Sequence, residues 1–105
     1  MMAKEFTEVL RKTVRAYRSE FEDSCKRWLI KYCRDLERQM MREAAQGKID
    51  FILDNFDKWN RLTEEEKTRT LHLICERYDL EPVMICEMGE SLTAVRWGDK
   101  EDEET

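Results

Sequence analysis

The chain has 105 residues, of which 41% are charged and 41% apolar, and its net charge is −5. That length allows one domain with one modest core, and the aromatic and aliphatic content excludes a chain disordered throughout. Three glycines and a single proline argue against a turn-rich all-β sandwich and for long helices.

Residues 4–46 read as helix. Phe6, Leu10, Val14, Tyr17, Phe21, Cys25, Trp28, Tyr32, Leu36 and Met40 recur in steps of three and four, the period of one helical face. Glu8–Lys12, Glu22–Lys26 and Asp23–Arg27 stand at i,i+4 in the favourable order. A helix of that length measures about 60 Å, whereas a compact domain of this size has a radius of gyration near about 13 Å. The segment must therefore protrude, bend or break, and the weakest stretch by propensity is Ser19–Ser24. Gly47 is a suitable stop.

Residues 48–53 read as a short strand of β-branched and aromatic residues, and residues 56–62 as an irregular connection. Thr63-Glu64-Glu65-Glu66 is a capping-box sequence. It opens a helix whose buried face is marked by Leu71, Ile74, Cys75 and Tyr78 and which ends near Asp79. Residues 83–88 and 92–97 then form a hairpin around Gly89-Glu90-Ser91. The expected fold is α+β, with a small three-stranded sheet covered by helices. Residues 1–98 make the domain, and 99–105 an acidic mobile tail.

Charge is segregated along the chain. Residues 1–48 hold twelve Lys and Arg against eight Asp and Glu, giving +4, and residues 49–105 hold seven against sixteen, giving −9. Such polarity bears on partners rather than on fold. Arg27, Lys31, Arg34, Arg38 and Arg42, spaced four, three, four and four, line one helical face away from the apolar stripe. Such a row suits a phosphate backbone or an acidic partner. Its plainer reading is a solvated face, and the acidity of the whole chain makes nucleic acid a poor partner. Asp54, Asp57, Glu64, Glu65, Glu87 and Glu90 form the contrasting set, able to meet a basic groove on another protein or merely to keep the chain soluble. Trp59, between Lys58 and Asn60, is the candidate for an exposed aromatic anchor at that interface. Packing beneath a loop is its plainer reading. If the first helix protrudes, its apolar stripe needs a cover, which a second copy would supply as a homodimer.

Little points to chemistry. The lone His72 sits between Leu71 and Leu73, no phosphate-cradling or metalloprotease motif occurs, and the one histidine with four scattered cysteines does not make a zinc set. No catalytic residue, cofactor or metal is therefore expected. No stretch of eighteen apolar residues suggests a membrane span. The charged start lacks the apolar core of a secretory leader. Unpaired cysteine spacing suggests a reducing, cytoplasmic setting.

Ala44-Ala45-Gln46-Gly47-Lys48 before a strand, then a capped helix, then a hairpin ending at Val95-Arg96-Trp97, resembles in layout the small accessory proteins of phages and prophages. The resemblance implies a non-enzymatic adaptor or an inhibitor of a nucleic-acid enzyme that exposes acidic surface. The long basic first helix departs from a pure mimic of nucleic acid. The leading expectation is thus a protein-binding accessory protein acting through its acidic half. Next come a nucleic-acid-associated protein using the basic row, and third a small enzyme of unassigned class.

Overall fold

A computed structural model describes residues 2–98; the acidic tail expected at 99–105 lies outside the described residues. One helix, α1, runs unbroken over Ala3–Ala45. Strand β1 follows over Asp50–Ile52, then two 3-10 turns, Leu53–Asn55 and Trp59–Arg61. Helix α2 covers Glu64–Tyr78, and strands β2 (Glu81–Glu87) and β3 (Glu90–Arg96) complete the chain. The class is α+β, as expected.

The weak stretch at Ser19–Ser24 does not break α1. Serine costs a helix only about half a kcal/mol, no proline or glycine removes a backbone bond there, and Glu22 reaches Lys26 at 3.8 Å. The helix therefore protrudes. The molecule measures 65 × 30 × 30 Å, with a radius of gyration of 18.2 Å, well above that of a compact chain of this length. At its far end the Lys48 N–H donates to the Glu43 carbonyl (3.1 Å) and the Gly47 N–H to that of Ala44 (2.9 Å). This Schellman closure needs the left-handed φ of +82° that Gly47 supplies.

The sheet order is β1-β3-β2, with both neighbouring pairs antiparallel. β1 and β2 therefore run the same way but are separated by β3. The hairpin turns on Met88 and Gly89, both at positive φ (50° and 80°), the sense of twist that a two-residue turn requires. α2 opens with the capping box expected of it: the Glu66 N–H donates to Thr63 Oγ1 (3.3 Å) and the Thr63 N–H to Glu66 Oε1 (2.9 Å).

The core lies between the second half of α1, α2 and one face of the sheet. Trp28, Leu29 and Leu36 of α1 meet Phe51, Leu53, Phe56, Trp59, Ile74 and Val95. Phe51 and Val95 are register partners, so they share that face. Ile52, Ala94 and Val83, also in register, share the other. Two indole N–H groups tie loops to this core: Trp28 Nε1 donates to the Lys58 carbonyl (3.1 Å) and Trp97 Nε1 to that of Lys48 (3.0 Å). All four cysteines are free.

Candidate interaction surfaces

Trp59 is not an exposed anchor. It is 1% exposed, and its ring packs edge-on against Trp28 with centroids 6.0 Å apart. Its polar neighbours misled because the indole fills the core while Asn60 is exposed and Lys58 lies half-buried over the Phe56 ring. Asp54 is also committed inward. β1 covers β3 only at residues 94–96, and beyond that the Thr93 N–H donates to Asp54 Oδ2 at 2.8 Å. A side chain thus takes the place of a missing strand residue. Asn60 Nδ2 further pins this segment by donating to the Asp54 carbonyl at 2.8 Å.

The remaining acidic candidates are at the surface. Asp57 is exposed on the link between the two 3-10 turns. Glu64 and Glu65 occupy the first turn of α2, and Glu87 and Glu90 face each other beside the hairpin turn. β2 returns along α2: Glu64, Thr68 and Leu71 line a shallow groove of about 330 Å³ together with Pro82, Val83 and Met84. Glu64 and the first half of β2 thus line one groove, and Glu87 and Glu90 lie further along the hairpin. Of the four, only Glu64 forms an ion pair among the described residues, a loose one to Lys67 at 3.5 Å with the carboxylate 93% exposed.

Arg27, Lys31, Arg34, Arg38 and Arg42 are all exposed on α1, because the apolar face of the same helix is turned to the core. They cover about 22 Å of helix. Among the described residues only Arg38 has an ion-pair partner, Asp35 at 3.5 Å; Lys31 lies over the Tyr32 ring at 5.3 Å. The five candidate cations thus lie on α1 and the candidate carboxylates on other elements, although both helices carry residues of both signs.

Residues with reactive side chains do not converge. His72 is exposed on α2. Burial pushes the Cys25 and Cys75 thiols up, away from the thiolate a nucleophile needs. Among the described residues no group of three or more His, Cys, Asp or Glu could hold a metal ion. No helix is long and apolar enough to cross a membrane.

The feature with the least sequence-level definition is the arm. Residues 3–20 of α1 are exposed without exception, including Phe6, Leu10, Val14 and Tyr17. Where the body begins, Glu22 is gripped by Arg69 of α2 through two bonds of 2.6 and 2.7 Å. The guanidinium holds the carboxyl below its ordinary value of 4.5. No family model matches the chain, and no curated protein or solved structure matches it.

Proposed function

We propose that this chain is a non-catalytic protein-binding accessory protein. Its acidic side chains Glu64, Glu65, Glu87 and Glu90 engage a partner with a basic surface. The phosphate-binding groove of a nucleic-acid enzyme, which the chain would inhibit by occupancy, is the class of partner that fits. One observation carries this reading: four exposed carboxylates stand on α2 and on the β2–β3 hairpin, and three of them have no ion-pair partner among the described residues. Charge presented in this way steers association and selects partners of opposite sign.

The experiment compares native protein with Glu64→Lys/Glu87→Lys, both immobilised and exposed to lysate of the source cells. The native surface retains a basic protein, less of it as salt rises, and the reversed surface does not. Equal retention by both, or none by either, overturns the proposal. A second reading, duplex or single-stranded nucleic acid along the basic row of α1, is favoured by four of its five cations having no ion-pair partner among the described residues. A labelled duplex whose mobility shifts with native protein, and not with Arg34→Glu/Arg38→Glu, would move the assignment there.

A further inference from the structure

The arm presents an unmet requirement. Phe6, Leu10, Val14 and Tyr17 are 53%, 48%, 46% and 60% exposed, and Tyr17 stacks along the helix on half-buried Phe21 with centroids 6.3 Å apart. Monomers rarely leave a contiguous apolar patch above a few hundred Å². An isolated helix of the arm's length is marginal in water.

We infer that the stripe is covered by the same stripe of a second copy, the two arms packing antiparallel. Three independent features of the chain point there. The first is spacing. Measured about the midpoint between Thr13 and Val14, Phe6 and Phe21 are equidistant, as are Leu10 and Tyr17. An antiparallel pair therefore sets Phe6 level with Phe21 and Leu10 level with Tyr17, with Val14 beside the centre.

The second is shape. The body packs on the continuation of the same face, through Cys25, Trp28 and Leu29, and is about 30 Å across. In a parallel pair two such bodies would fall at one level between the helices and hold the arms apart. In the antiparallel pair Ala3 of one copy reaches the level of Ser24 of the other, where the body starts, so each body sits just beyond the other arm's tip.

The third is charge. One flank of the stripe carries Lys4, Glu8, Arg11, Arg15, Arg18 and Glu22 at steps of four, three, four, three and four, all on one side of the helix. Antiparallel packing brings like flanks together. In the register that sets Phe6 level with Phe21, Glu8 then lies within one residue's rise of Arg18 of the second copy, a pair that occurs twice by symmetry, whereas Glu22 is already held by Arg69 of its own chain. Arg11 meets Arg15 at the centre, the one repulsive match. An arm pair of this length covers on the order of 1,000 Å², the lower bound for a specific interface, and the central arginines keep it weak.

Sedimentation velocity on the full chain, from about 1 to about 200 µM, brackets the affinity that so small an interface supports. Native protein goes from monomer to dimer across that range. Leu10→Glu/Tyr17→Glu remains monomeric, with tryptophan fluorescence unchanged because the body, which holds all three tryptophans, is not touched. Glu8→Arg alone and Arg18→Glu alone each weaken the dimer roughly tenfold, and the two together in one chain restore it. Arg15→Glu tightens it, whereas an acidic partner on this flank would be lost by the same change. A native chain that stays monomeric, a dimer indifferent to Leu10→Glu/Tyr17→Glu, or a paired charge swap that fails to rescue overturns the inference. So does a monomer that instead floats with anionic phosphatidylserine vesicles, which would make a lipid surface the occupant.

Discussion

The two halves of α1 carry the same apolar period in the same helix, yet their fates differ. Residues from Phe21 onward bury Cys25, Trp28, Leu29 and Leu36 against α2 and the sheet. Residues 3–20 are all exposed among the described residues. The difference teaches that periodicity specifies a face that wants covering and leaves open what covers it. In the body the cover comes from later residues of the same chain; for the arm the best-fitting cover is another molecule of the same kind.

That comparison can be broken or sharpened by measurement. All three tryptophans, Trp28, Trp59 and Trp97, belong to the body, so intrinsic fluorescence reports its unfolding alone. Trp59→Ala empties the centre of the core and costs about 3–5 kcal/mol in denaturant unfolding. Val9→Ala in the arm stays within about 0.5 kcal/mol at concentrations where the chain is monomeric. Comparable losses at both sites would mean that arm and body unfold as one unit. A smaller effect is expected from Asp54→Ala, which strips the acceptor from the half-buried Thr93 N–H and costs about 1–3 kcal/mol. An unchanged midpoint would show that water replaces the carboxylate there.

The smallest effect lies at the seam where arm becomes body. Arg69 depresses the folded-state pKa of Glu22 below 4.5, so the folded chain releases this proton more readily than the unfolded one. The contribution is fully present above the ordinary pKa and is lost as pH falls through the folded value. Denaturant midpoints between about pH 6 and about pH 3 therefore fall more steeply for native protein than for Glu22→Gln. Parallel curves would mean that the ion pair, which is substantially solvated, contributes nothing measurable.

Much of the fold was legible. The α1 stripe, the Gly47 stop and the Thr63 capping box each rest on local residue chemistry and stand where that chemistry puts them, whereas the hairpin forms but turns on Met88-Gly89 rather than on Gly89-Glu90-Ser91, with Glu90 and Ser91 paired in β3. The strand order was not legible, because β1 is three residues long and its pairing with β3 depends on where a distant hairpin lands. Trp59 resisted reading for a related reason: a 3-10 turn has no extended period, so an indole between lysine and asparagine carries no sign of which way it faces. Asp54 was read as a surface acid because nothing in its neighbours announces that a strand edge thirty-nine positions later lacks a partner. The basic row and the four glutamates of α2 and the hairpin kept the exposure read for them, since long charged side chains seldom fully bury. For the arm, sequence supplied the apolar stripe and its need for a cover. It took the position of the body to exclude a parallel pairing.

The Asp54 carboxylate has one more consequence. A sheet of three strands offers two open margins, and an open margin is a template on which stray chains can polymerise. Here one margin is a strand of three residues, with the stretch beyond it stoppered by a negative charge bonded to the Thr93 amide. The other margin contains Pro82, which has no amide hydrogen to offer, and is bracketed by Glu81 and Glu87. A small protein that leaves half a helix bare to solvent thus leaves little of its sheet margin open to further strands.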